Sequence, residues 1–345
     1  MDFILQENVP LAPLTTLKIG GNARFFVRAE TAQQIIAALD FAEENEFPIF
    51  VLGGGSNILV ADEGFGGLVV QIAVKGIEIK ENIVTAQAGE DWDGFVKSCV
   101  ENDLQGIECL SGIPGLTGGT PVQNVGAYGQ EVSETIAKVR VFDRKSKEIL
   151  ELTNQDCQFS YRASLFNATA KNRFIVLAVT FALNKNGAPK IVYKDLQNHF
   201  GDYQPNLRET REAVLEIRRA KSMVIDELDP NAKSAGSFFK NPVVRPEKLA
   251  EIVVLARQFG VEDVPHFPAA ENEFKIPAAW LIENAGFYKG YVKNEAGIST
   301  RHTLALINRG AASASDILAL KNEIQTAVRK KFGVELTPEP IFVGF

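Results

Sequence analysis

The chain has 345 residues, 46% of them apolar and 23% charged, which is ordinary for a globular protein and enough for two or three domains with cores of their own. A formal net charge of −7 argues against a nucleic acid or an anionic membrane surface as the main partner, and no run approaches 18 consecutive apolar residues. The cysteines Cys99, Cys109 and Cys157 are odd in number and form no Cys-x-x-Cys, so buried free thiols in a reducing compartment are expected, and with no basic N-terminal region ahead of a long apolar run, a cytoplasmic protein.

Residues 1–28 hold short apolar runs broken by Pro10 and Pro13. Thr31, with Gln34 three positions on, gives a capping-box signal, and Ile35, Ile36, Leu39 and Ala42 mark one face of the helix it would start. After Pro48 the run Ile49–Leu52 reads as a buried strand leading straight into Gly53-Gly54-Gly55-Ser56-Asn57. A strand ending in such a turn presents backbone N–H groups to phosphate oxygens. A plain tight turn is the alternative, because Ile58 stands where a dinucleotide Gly-x-Gly-x-x-Gly needs glycine and no Gly-Lys-Ser/Thr follows. Strand patterns at Leu68–Val70 and Ile83–Ala86 precede a helix over about 91–102, with Trp92, Phe95, Val96, Cys99 and Val100 on one side.

From Ser111 to Gly129, six glycines and two prolines in nineteen residues exclude a regular element of any length. The N–H groups, hydroxyls and amides of this block suit a large polar cofactor lying along it. Strands resume at Val139–Phe142 and Ile175–Phe181. Between them, Arg162 is an always-charged fork among apolar neighbours, which fits a buried anion partner or else an ordinary surface arginine. Tyr193-Lys194-Asp195-Leu196 opens the next segment, a helix runs from about Thr210 to Lys221, and 222–233 reads as a polar linker.

Next comes Ser234-Ala235-Gly236-Ser237-Phe238-Phe239-Lys240-Asn241-Pro242, in which small residues give a ligand access to the Ser237 hydroxyl beside a dry wall of two phenylalanines. A turn entering an ordinary strand is the plainer alternative. Helices are expected at Glu247–Phe259, Ala278–Ala285 and Ile317–Phe332, strands at Leu304–Ile307 and Ile341–Val343, and a proline-bearing loop from Val264 to Pro277. Pro338-Glu339-Pro340 holds a carboxylate on rigid backbone, as a site residue or as a solvated turn.

In this order and spacing, Leu52 to Asn57, Ile113 to Gly129, Tyr161-Arg162, Ile217 to Lys221, Ala235 to Pro242, Ala279 to Glu283 and Pro338-Glu339-Pro340 make the chain resemble the UDP-N-acetylenolpyruvoylglucosamine reductase family, longer type, over nearly its whole length. The resemblance implies an α+β protein. A vanillyl-alcohol-oxidase/PCMH-type FAD-binding fold would comprise two α+β subdomains, 1–67 (joined by 334–345) and 68–218, with an α+β substrate domain at 219–333. It implies non-covalent FAD on Gly53, Gly54, Gly55, Ser56 and Asn57, and on Ile113, Gly118, Gly119, Thr120, Gln123, Asn124, Gly126, Ala127 and Tyr128. It further implies NADPH-dependent reduction of the enolpyruvyl ether of UDP-N-acetylglucosamine to UDP-N-acetylmuramate, a cytoplasmic step of peptidoglycan precursor synthesis.

The family's catalytic trio falls on Arg162, Ser237 and Glu339. Arg162 and a protonated Glu339 would hold the substrate carboxylate, and Ser237 would protonate the carbon beside it. Tyr193, Lys221, Asn241 and Lys275 fall where the family grips the UDP-sugar and diphosphate, while Phe267 replaces a tyrosine expected there. The segment from Lys221 to Asp229-Pro230 is longer than the usual Lys-Leu-Pro-Asp-Pro. No metal is called for, and His199, His266 and His302 are scattered. The expected partner is the nucleotide-sugar alone, with no nucleic acid or membrane, and a monomer is expected. Two rivals stay open: an oxidase of the same fold using O₂, which would need neither the Ser237 stretch nor Glu339, and a colourless, non-catalytic nucleotide-binding protein.

Overall fold

In a computed structural model describing residues 3–269 and 272–345, Thr31 starts the first helix, α1 (Ala32–Glu44), by accepting a hydrogen bond from the Gln34 N–H at 3.1 Å. The Gln34 side chain reaches back to the Glu30 N–H at 2.8 Å rather than to that of Thr31, so the capping box closes one residue early. Ile35, Ala38, Leu39 and Ala42 form the buried face. This helix belongs to a first unit made of the residues through Val9, Ala23–Gly55 and Phe65–Ile225.

Two sheets frame that unit. Strands Asn22–Ala29, Phe65–Ile72 and Ile49–Leu52 pair in parallel, with Gln6–Pro10 at the far edge. The other sheet is antiparallel and orders Glu148–Thr153, Ile136–Asp143, Phe174–Ala182, Ile83–Gln87 and Ile77–Lys80. Helix α2 (Trp92–Glu101) is capped by Asp91, which accepts from the Gly94 N–H, and it buries Trp92 and Phe95 against Phe181, with the last two ring centroids 5.1 Å apart. Ile77–Lys80 and Glu148–Thr153 were not anticipated. Both are edge strands with mostly exposed faces, so neither carries an apolar run.

Helix α3 (Lys194–Phe200) follows, then α4 (Leu207–Ala220), which a complete capping box of Asn206 and Glu209 starts ahead of the expected Thr210. The three cysteines are free and buried, all in this unit, and burial pushes the Cys99 and Cys157 thiols up to about 12.

The second unit comprises Pro10–Asn22, Ser56–Gly64 and Asp226–Phe345. Its antiparallel sheet orders Ser234–Ser237, Ala305–Asn308, Ala296–Ile298 and Val292–Lys293, and Ile341–Val343 pairs in parallel with Ile58–Val60. Three helices pack in it: α5 (Pro246–Gln258), α6 (Ala278–Asn284) and α7 (Ala314–Phe332), the last closed by Gly333 in the left-handed conformation at φ 63°. Helix α7 begins earlier than its apolar period suggests, because a Ser313–Asp316 capping box and the Asp62 carboxylate satisfy its first N–H groups.

The loop expected over Val264–Pro277 holds a small hairpin instead: Phe267–Pro268 pairs with Phe274–Lys275, which in turn pairs with Val243–Val244. Phe238 and Phe239 are fully interior, packed on each other at 5.5 Å, so they are core of this unit rather than the wall of an open pocket. Among the described residues, no helix is long and apolar enough to cross a membrane.

Candidate functional site

The first unit brings Gly53–Gly55 and the second glycine block together, while Ser56 and Asn57 belong to the second unit. Strand Ile49–Leu52 delivers Gly53–Gly55, and a Cβ on Gly54 would stand 2.7 Å from the Gly115 Cα, so only two glycines let these backbones meet. Gly118 is equally tight, since a Cβ there would lie 2.5 Å from that of Ala88. Gly53 and Gly119, by contrast, have none of the described residues within 4 Å of an added Cβ. The second block is bolted to the start of α2 and the chain ahead of it: Trp92 N–H donates to Gly115 O, Thr117 N–H to Glu90 O and Gly118 N–H to Ala88 O, at 2.8–3.1 Å.

Some of the polar side chains expected to meet a cofactor serve the loop itself. The buried Thr120 hydroxyl donates to Thr117 O at 2.8 Å. Asn124, at φ 45°, donates to Glu131 Oε2 and to Ser160 O and accepts from the Ser133 N–H. Ile113, Gln123 and Ala127 lie half-buried along the block.

Arg162 is fixed to the same block. Ser160 and Ala163 exchange backbone hydrogen bonds around a tight turn, and Arg162 within it takes φ 55°, a left-handed conformation that costs a non-glycine residue about 1–3 kcal/mol. Its Nη2–H donates to Gly126 O at 2.9 Å, Asn167 donates to its carbonyl, and the Ser164 hydroxyl donates to Val122 O at 2.6 Å. The guanidinium is thus pre-aimed by backbone that is itself pinned to residues 122–126.

A second group in the first unit gathers Tyr128, Tyr193 and Lys221. The tyrosine rings meet edge-on at 5.3 Å, and the Lys221 Nζ lies 5.8 Å from the Tyr128 centroid. Lys221 also donates to Asp195 Oδ2 at 2.6 Å. Burial weighs against its ammonium, but Asp195, with Tyr128 and Tyr193 alongside, outweighs burial and leaves Lys221 above its ordinary value.

Close to Tyr128, Arg218 is 6% exposed and donates to Met223 O at 2.7 Å, and its buried Nε has no hydrogen-bond partner among the described residues. Nearby, Asp93 takes both Arg211 Nη groups and the Gly112 N–H. Burial pushes the Asp93 carboxyl up, and the bonds from Arg211 and Gly112 more than reverse that. Sequence reasoning missed Asp93, Asp195, Arg211 and Arg218, because acids and bases on helices read as solvated faces until their partners are known.

The second unit brings Ser237 and Glu339 together. Phe238 N–H donates to Leu304 O, Glu339 N–H donates to Phe238 O at 2.9 Å, and Phe239 bridges Pro338. Gly236 at φ 71° marks an irregularity between Ser234 and Ser237, and such a kink re-aims the serine out of regular strand alternation. Asn57 Nδ2 donates to the Glu339 carbonyl at 3.3 Å, and the Ser56 carbonyl accepts from the Thr16 hydroxyl at 3.4 Å.

Asn241 Oδ1 accepts from the Ala278 N–H at 2.8 Å, so that oxygen helps start α6. Lys275 sits opposite Phe267 in the hairpin, and the Phe267 side chain is exposed.

Residues 23–153 match the family model described as FAD binding domain, and 229–343 match that of UDP-N-acetylenolpyruvoylglucosamine reductase, C-terminal domain. The UDP-N-acetylenolpyruvoylglucosamine reductase of Thermobifida fusca (strain YX) is 43% identical over 349 aligned residues, 98% of each chain. The chain belongs to the UDP-N-acetylenolpyruvoylglucosamine reductase family.

The reductase of Streptomyces coelicolor is 46% identical over 98% of this chain and 90% of its own. The crystal structure of UDP-N-acetylenolpyruvylglucosamine reductase from Thermus caldophilus superimposes with a TM-score of 0.69 at 25% identity, covering 99% of both chains. This α+β family member carries the vanillyl-alcohol-oxidase/PCMH-type FAD-binding fold that its sequence implies. FAD fits the first unit's residues: Gly53 and Gly119 leave backbone that a large polar ligand can approach, on a scaffold held rigid by Gly54, Gly115 and Gly118.

Proposed function

We propose that this chain reduces the enolpyruvyl ether of UDP-N-acetylglucosamine to UDP-N-acetylmuramate with NADPH, and that Arg162, Ser237 and Glu339 are the acting side chains. FAD, when bound, supplies the hydride relay from NADPH to the terminal alkene carbon. The protein's task is the charge that this leaves on the neighbouring carbon and its carboxylate. Arg162, a permanent cation on a fixed turn, grips that carboxylate through its planar fork, and preorganisation spares it any reorientation as charge develops. Glu339, if protonated, would donate a further hydrogen bond to the same group. Ser237 Oγ–H gives its proton to the carbon; a hydroxyl is a weak acid in water, but an enolate-like carbon is basic enough to take it.

The observation that carries this reading is the Glu339 N–H to Phe238 O hydrogen bond, which fixes the serine stretch and the Pro-Glu-Pro segment side by side in one unit. Tyr193, Lys221, Asn241 and Lys275 hold the nucleotide-sugar. The reaction belongs to peptidoglycan precursor synthesis in the cytoplasm, where NADPH and nucleotide sugars are kept.

Separating the half-reactions tests it. Ser237→Ala removes one oxygen from a partly buried site, and anaerobic NADPH should still bleach the flavin at close to the normal rate. Reoxidation by the enolpyruvyl substrate should slow by roughly 100- to 10,000-fold, the range for loss of a positioned acid. Ser237→Cys should recover part of that loss. Equal slowing of both halves would make Ser237 a shaper of the pocket, and no slowing of either would remove it from the chemistry.

A further inference from the structure

Asp195 is the unassigned member of the group around Lys221. It lies in the first turn of α3, two residues past Tyr193, while Lys221 is the residue that closes α4. Their 2.6 Å ion pair therefore ties the start of one helix to the end of the next. The pair is no buried structural bridge: the two side chains are 37% and 35% exposed, which leaves room for a ligand at the ammonium. An exposed lysine stem is flexible, and the ammonium here is held by Asp195 near the face of Tyr128, whose ring meets that of Tyr193.

We infer that Asp195 is a positioning residue, holding the Lys221 ammonium over Tyr128 at the place where the substrate diphosphate meets it. This rests on the assignment of Lys221 to the nucleotide-sugar. An acid beside a phosphate site is unfavourable by its own charge, so its presence needs such a compensating role. Lysine has three donors, and the bond to Asp195 engages one direction of the ammonium while others stay available for phosphate oxygens. The titratable and charged groups facing Lys221 are Asp195 from α3, Tyr193 ahead of it and Tyr128 from the glycine block, with Arg218 on α4 itself close to Tyr128. With Asp195 gone, burial would be left as the largest influence on Lys221, and it acts against the charged form.

The test uses the FAD-loaded enzyme, titrated with the enolpyruvyl nucleotide-sugar by perturbation of the flavin spectrum at several pH values from about 7 up through the lysine range above about 10.4. Asp195→Asn should weaken binding by about tenfold, the scale of one charge-assisted contact, and the alkaline loss of binding should begin at lower pH. Asp195→Glu should restore part of both effects, and it takes over the test if Asp195→Asn fails to retain FAD. A purely structural role would lower thermal stability or flavin content and leave the alkaline limb where it is. Unchanged or tighter binding by Asp195→Asn, with an unmoved limb, overturns the inference. Lys221→Met separates the two levels: if it binds normally, the assignment of Lys221 itself falls, whereas if it binds weakly and Asp195→Asn does not, only the role of Asp195 falls.

Discussion

At the scale of single residues, the glycines divide by what surrounds them. A side chain at Gly54 would strike the Gly115 backbone, so Gly54→Val should disturb the packing of the two blocks as well as the cofactor. Gly119 is the cleaner probe, exposed and with nothing near an added Cβ. Gly119→Val should fold with an unchanged melting temperature yet purify with little flavin; a full complement of bound FAD would remove the block from the cofactor site.

Asp93 makes a second prediction at this scale. Its carboxyl is held below the ordinary value, so it favours the fold above the unfolded carboxyl's pKa of about 3.9, and that contribution is lost as pH falls through the lower folded value. Urea midpoints should therefore fall with acid in the wild type and fall less steeply in Asp93→Asn. Parallel curves would show that the Arg211 and Gly112 bonds carry no such linkage.

At the scale of elements, α4 matters because Arg218 and Lys221 both depend on where it ends. Its start is secured by the reciprocal Asn206–Glu209 bonds of 2.8 and 3.0 Å. Asn206→Ala should cost about 1 kcal/mol, visible as a lower thermal midpoint, and an unchanged midpoint would mean that the tertiary contacts alone hold the helix. The hairpin of Phe267–Pro268 and Phe274–Lys275 offers the converse experiment. The Phe267 side chain is 55% exposed, so a hydroxyl added there meets no packed core. Phe267→Tyr should leave stability alone and lower the KM for the nucleotide-sugar by an amount up to ~1.5–3 kcal/mol, the worth of a charge-assisted hydrogen bond. An unaltered KM would show that the hairpin does not meet the diphosphate.

At the scale of the whole molecule, the two units carry separate reporters. Cys99, Cys109, Cys157 and the buried Trp92 lie in the first unit, and Trp280 lies in the second. Native enzyme should resist a thiol reagent at neutral pH, because burial keeps these thiols protonated as well as covered. In rising urea, thiol labelling should follow the fluorescence of a Trp280→Phe variant, in which Trp92 alone reports. Rapid labelling without denaturant would contradict the packing of the first unit.

The sequence alone determined those features whose causes are local. Helices α1, α2, α5 and α7 were readable from apolar period and capping residues, and the glycine blocks from a composition that no regular element tolerates. The proposed trio rests on the family resemblance, in which Ser237 and Glu339 each sit in a short stretch of unusual residues. Tertiary structure decided what depends on a partner distant in the chain. Ile77–Lys80 and the Phe267 hairpin exist as strands because neighbouring strands offer matching hydrogen bonds, and their own residues carry no such instruction. Phe238 and Phe239 looked like a ligand wall and became core, because burial is a property of the surrounding elements. Asp195 and Lys221, 26 positions apart at the ends of different helices, become a pair only when α3 and α4 fold against each other, since a charge finds its counterion through space and not along the chain.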